Sequence, residues 1–102
     1  MKKFIKIASK SEISSGKMKE YKIGDKTIVI VNIGGKYLAF DGLCTHMQCP
    51  LAGGNLDGNI LTCYCHGAQF DISDGKAIAP PVRKPLEVYK VKVVGENILV
   101  EI

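Results

Sequence analysis

The chain has 102 residues and a formal net charge of +4, enough for one hydrophobic core and too little for a second domain or an elaborate catalytic pocket. Ile and Val together number 20 against 7 Leu, a β-branched bias that fits strands better than helices and predicts an all-β fold. The 14 basic residues include one arginine, Arg83; they read as a solvated surface spread evenly along the chain, at most steering it toward an acidic partner. No basic run is interleaved with stacking aromatics, so nucleic-acid recognition is excluded.

Residues 1–16 contain lysines but no apolar run of the ~7 to 15 residues that a signal peptide needs. The longest apolar run, at 28–31, is far below the ~20 residues that span a bilayer. The expectation is a soluble, cytoplasmic protein.

From Phe4 to Phe40, short apolar runs alternate with glycine turns at Gly24-Asp25 and Gly34-Gly35. Glycine supplies the positive φ of tight hairpins, so this part reads as an antiparallel meander. Residues 12–16 are expected to form a connecting loop or one short helical turn. Between Asp41 and Asp74 periodicity fades, and all the cysteines and histidines fall in this stretch. Loops are expected to dominate there, braced by a short strand pair about Asp57-Gly58 and a second pair around 68–72. Beyond Pro80-Pro81 and Pro85 the strand pattern resumes at 86–94, turns at Gly95, and closes at 98–102. The region at about 42–80 is therefore an insertion within one domain spanning 1–102, and the flanking strands are expected to share one sheet system.

The chemistry lies in Cys44-Thr45-His46 and Cys63-Tyr64-Cys65-His66, with 16 residues between His46 and Cys63. Thiolates and imidazoles at this spacing suit zinc or iron. With both histidines occupied as ligands, no base is left for nucleophilic catalysis. No phosphate-cradling glycine motif or dinucleotide fingerprint appears either. The chain is not expected to be an enzyme.

The two motifs resemble those of the Rieske iron-sulfur family, Cys-x-His and Cys-x-x-His-Gly, here completed by Gly67. The resemblance extends to Phe70-Asp71, Asp74-Gly75, Pro80-Pro81 and Ala39-Phe40-Asp41, and is strongest to the soluble ferredoxins. It implies an antiparallel sandwich or barrel-like Rieske fold with an inserted cluster-binding subdomain. It also implies one 2Fe-2S cluster, with Cys44 and Cys63 on one iron, His46 and His66 on the other. The implied function is one-electron transfer between a protein donor and a protein acceptor, alone or as the ferredoxin subunit of an oxygenase or other reductase system. A structural zinc module, or a thiol switch using Cys49 and Cys65, is the rival of a different class.

By resemblance to the bc-type members, Cys49 and Cys65 would form a disulfide joining the two ligand loops. Gly67 would let backbone N–H groups approach the cluster sulfurs, whereas Gly53 and Gly54 fit that role and an ordinary turn equally. Pro80-Pro81 would cover the cluster, and Met47 and Leu51 would shield it. Ala68 and Phe70 stand where high-potential members carry a serine and a tyrosine hydroxyl. Without those donors the reduced cluster is less stabilised, which implies a potential in the lower or middle part of the family's range of roughly −150 to +300 mV.

Overall fold

In a computed structural model, residues 3–42, 51–63, 69–79 and 86–102 are described. Their strands in chain order are β1 (Phe4–Ser9), β2 (Met18–Ile23), β3 (Lys26–Ile33), β4 (Lys36–Asp41), β5 (Asn55–Asp57), β6 (Ile60–Thr62), β7 (Gln69–Asp71), β8 (Lys76–Ala79), β9 (Val88–Tyr89), β10 (Val91–Val94) and β11 (Asn97–Glu101). Short 3-10 turns occupy Lys10–Glu12 and Leu51–Gly53. The fold is all-β and antiparallel, as expected. The described residues form three sheets, with strand orders β1-β11-β10, β2-β3-β4-β9 and β5-β6-β7-β8.

The middle sheet explains the run at 28–31. Successive side chains on a strand point to opposite faces. Ile28 and Ile30 enter one core with Ala8, Ile13, Ala39, Ile98 and Val100. Val29 and Val31 enter another with Phe40, Leu51, Leu61, Cys63, Phe70, Ile72 and Leu86. A strand covered on both faces cannot alternate apolar with polar, hence the unbroken run. The first core joins the middle sheet to β1, β10 and β11, and the second joins it to the β5–β8 sheet that carries the candidate site.

The one buried polar side chain, among the described residues, is Asn32 on β3. Its Nδ2 donates to the Ile13 carbonyl at 3.0 Å and to the Tyr37 hydroxyl at 3.3 Å, while its Oδ1 accepts from the Gly35 amide at 2.8 Å. The buried amide is thereby satisfied, and it ties the loop before β2 to the β3–β4 turn.

Three expectations gain detail or change. Residues 13–16 form the expected connecting loop, with a helical turn just ahead of it at Lys10–Glu12, where the Glu12 carboxylate reaches back to accept the Ser9 amide at 2.8 Å. The run at 86–94 is two strands: β9 pairs with β4, and β10 pairs with β11 in a different sheet. The flanking strands therefore do pair across the insertion, but in two sheets. The second strand pair, β7 and β8, extends beyond 68–72 to Ala79, where four residues between a turn and a proline pair give little periodic signal. Among the described residues, no helix is long and apolar enough to cross a membrane.

Candidate metal centre

Of the Cys and His set, Cys63 lies within the described residues; Cys44, His46, Cys49, Cys65 and His66 lie outside them. So do Met47, Gly67, Ala68 and Pro80-Pro81. Cys63 directly follows β6, has no exposed surface, and belongs to the core with Leu51, Leu61 and Phe70. A buried thiol packs as a small apolar side chain, and as a thiolate it needs a cation beside it to offset the loss of water, so the position is compatible with a metal ligand. Among the described residues no three His, Cys, Asp or Glu side chains come together to hold a metal ion.

The sheet carrying Cys63 has two unlike ends. At one, the paired row Asn55, Thr62, Gln69, Ala79 runs across all four strands. Residues 64–68 depart from and return to this row, next to Thr62 and Gln69, and residues 80–85 depart from Ala79. At the other end the row is Asp57, Ile60, Asp71, Lys76. There the Asp71 carboxylate accepts from the Ser73 amide at 3.0 Å and the Ser73 hydroxyl at 2.5 Å, bonds that hold its pKa below the usual carboxylate value. Asp74 accepts the Lys76 amide at 2.9 Å and completes the turn.

Residues 43–50, which carry Cys44 and His46, are pinned at both edges. The Gly42 amide donates to the Thr27 carbonyl at 2.8 Å, and the Leu51 amide donates to the Gly42 carbonyl at 2.8 Å. Leu51 is buried in the Cys63 core. From Leu51 the chain turns, with the Gly54 amide on the Leu51 carbonyl at 2.9 Å. A Cβ on Gly54 would stand 2.5 Å from the Thr62 carbonyl oxygen. Gly54 is thus required for close backbone packing, and its N–H points at Leu51 rather than at a cluster sulfur.

Residues 80–85 end similarly. The Leu86 amide donates to the Gly75 carbonyl at 2.6 Å, and a Cβ on Gly75, whose φ is +82°, would collide with the Leu86 carbonyl. Leu51 is buried in the same core as Cys63, and Phe70 is fully buried opposite Leu61, with no hydroxyl to offer. Thr62, Gln69, Gly42 and Leu86 were not singled out by the sequence, because their roles are set by partners distant in the chain. Charge is also less even than composition suggests: between 41 and 79 stand Asp41, Asp57, Asp71 and Asp74 against Lys76 alone.

Residues 3–90 match the Rieske [2Fe-2S] domain. The chain is 33% identical over 97 residues to the ferredoxin component of biphenyl 2,3-dioxygenase from Rhodococcus jostii (strain RHA1), covering 95% of this chain and 91% of that protein. It is 37% identical over 92 residues to the cytochrome b6-f complex iron-sulfur subunit of Chlorobaculum tepidum, covering 90% of this chain but only 50% of that protein. The solved structure of the Sphingomonas yanoikuyae B1 ferredoxin superposes with a TM-score of 0.90 at 27% identity, over 97% of this chain and 98% of that one. The buried thiol at the head of a braced strand row and the matched residues agree: the chain belongs to the Rieske [2Fe-2S] domain family, as an electron-transfer protein carrying one [2Fe-2S] cluster.

Proposed function

We propose that Cys44 and Cys63 hold one iron of the cluster and His46 and His66 the other, in a single domain spanning 1–102 whose cluster-binding part is about 42–80. The observation that carries this reading is Cys63, buried at the end of β6, with the edges of segments 43–50 and 64–68 fixed beside it. The donor chemistry fits, since two thiolates and two imidazoles are the Rieske set. When bound, the cluster supplies one-electron exchange.

The protein's own residues do the rest. Leu51, Leu61 and Phe70 exclude water from the Cys63 sulfur, and the paired row from Asn55 to Ala79 holds the segment ends. Rigid edges limit rearrangement when charge changes at the metal.

The nearly full-length match to a dioxygenase ferredoxin component supports a protein acceptor of the oxygenase kind. We also infer a cytoplasmic location. A Cys49 to Cys65 disulfide is supported by the likeness of the two motifs to bc-type members, and the lack of a hydroxyl on Phe70 supports a potential in the lower or middle part of the range, roughly −150 to +300 mV. A zinc module is not favoured by the family match.

The test is a set of four single variants, Cys44→Ser, His46→Ala, Cys63→Ser and His66→Ala. Each should abolish the visible absorption of the purified protein. Full colour in any one of them removes that residue from the ligand set.

A further inference from the structure

Three contacts meet at Thr62, the residue before Cys63. Its carbonyl oxygen occupies the space beside Gly54 that any larger residue would need, with an ideal Cβ only 2.5 Å away. Its hydroxyl accepts the Gln69 Nε2 amide at 3.1 Å. Its backbone is paired with Asn55 on one side and Gln69 on the other.

Each contact leads to a different edge of the site. Gly54 closes the turn that begins at Leu51, whose amide is bound to Gly42, so it reports the edges of segment 43–50. Gln69 is the residue at which the chain re-enters the sheet after 64–68. Thr62 is therefore where the segment with Cys44 and His46 and the segment with His66 are referred to a common point. The link to Gly54 is backbone against backbone and has no rotamer freedom. Sliding one edge past the other would drag Leu51 and Cys63, both fully buried, out of their shared core.

We propose that Gly54, Thr62 and Gln69 are positioning residues that form a non-covalent strap. They set the two ligand-bearing segments against each other and hold the [2Fe-2S] cluster whether or not Cys49 and Cys65 are joined. The proposal rests on the reading of Cys44, His46, Cys63 and His66 as ligands. It makes a disulfide an addition to a site already registered by its backbone. This suits a protein exposed to a reducing environment, where such a bond does not persist.

Holoprotein is compared as wild type, Gly54→Ala, Thr62→Val, Gly58→Ala and the double variant Cys49→Ser/Cys65→Ser. The readouts are the electron paramagnetic resonance spectrum of the reduced cluster and the rate at which an iron chelator bleaches the visible absorption. Gly54→Ala should bleach about tenfold faster, the lower bound typical when groups behind metal ligands are lost, with a shifted or broadened resonance. Thr62→Val, which keeps the shape and removes the hydroxyl, should change both in the same direction and by less.

Gly58→Ala is the control for simple destabilisation. Gly58 has φ +61° at the other end of the same hairpin with nothing nearby, so alanine there strains the sheet and should lower Tm while leaving the resonance as in wild type. The double cysteine variant should keep its cluster, resonance and bleaching rate.

Wild-type behaviour in both Gly54→Ala and Thr62→Val overturns the strap. So does an equal spectral change in Gly58→Ala, or loss of the cluster from the double cysteine variant. If Gly54→Ala does not fold, Thr62→Val decides alone. A wild-type protein without iron-sulfur absorption removes the ligand reading and the strap together, whereas a coloured protein with indifferent variants removes the strap only.

Discussion

The Gly42 carbonyl accepts the amide of Leu51 at 2.8 Å, and the Gly42 amide donates to Thr27 on β3 at 2.8 Å. One glycine thus fastens the start of the segment carrying Cys44 to the middle sheet and to its own far edge. No larger residue fits, since a Cβ there would stand 2.5 Å from the Thr27 methyl. Gly42→Ala should cost about 1–3 kcal/mol through overpacking, measured by chemical denaturation. Thr27→Ser, which removes that methyl, should restore part of the loss when combined with it.

Leu51, the first residue after segment 43–50, shares a buried core with Cys63. Leu51→Ala should destabilise the protein by about 2–5 kcal/mol, the range for emptying a packed leucine site. It should also speed bleaching of the cluster, because water then reaches the sulfur side of the core. A loss below 1 kcal/mol in a denaturant titration would show that the core collapses onto the gap.

Among the described residues, the Asn32 side chain is tied to Ile13, Gly35 and Tyr37, away from Cys63. Asn32→Ala strands the buried Ile13 carbonyl and should cost about 1–3 kcal/mol. The visible spectrum of the folded holoprotein should stay unchanged. A changed spectrum would place Asn32 in communication with the metal centre.

The Glu12, Lys19 and Tyr21 cluster makes stability depend on pH at both extremes. The Tyr21 pKa is pushed from 10.0 up to about 12, first by burial and then by its hydroxyl bond to Glu12 at 3.1 Å. Its folded value is raised, so the contribution is complete below pH 10 and is lost as pH climbs toward 12. Burial, and then its bond to Glu87, raises Tyr89 in the same direction. Glu12 is lowered below 4.5, chiefly by the Ser9 amide and then by the Tyr21 hydroxyl. Its contribution is present above that value and fades as pH falls through the lowered one. A Tm profile of Tyr21→Phe should therefore be flatter than wild type between about pH 10 and 12, with Tyr89 keeping part of the slope. Glu12→Gln should be flatter on the acid side.

Hydrogen bonds to cluster sulfur raise the potential of this family. Phe70 is buried in the Cys63 core and carries no donor. Ala68→Ser and Phe70→Tyr should each raise the midpoint, with the start in the lower or middle part of the range, roughly −150 to +300 mV. A wild-type midpoint at the top of that range, or no rise in either variant, contradicts the assignment of these positions.

Much of the fold was legible because its signals are local. The glycine turns at 24 and 34 and the run at 28–31 place β2, β3 and β4 without knowledge of their neighbours. The sheet switch near Lys90 was not, because β9 and β10 differ only in what lies beside them. At the site, Cys63 was legible from its motif, whereas Thr62 and Gly54 look ordinary in sequence. Their importance comes from a backbone contact between two strands that no period or spacing encodes. The even spread read for the basic residues fails on the sequence itself, since none lies between Lys36 and Lys76.

The most direct measurement of the central claim is a redox titration of the purified protein, followed by visible absorption, with iron and acid-labile sulfide determined on the same sample. The expected result is a coloured protein with two irons and two sulfides per chain, taking up one electron. A colourless protein containing one zinc and accepting no electron would contradict it.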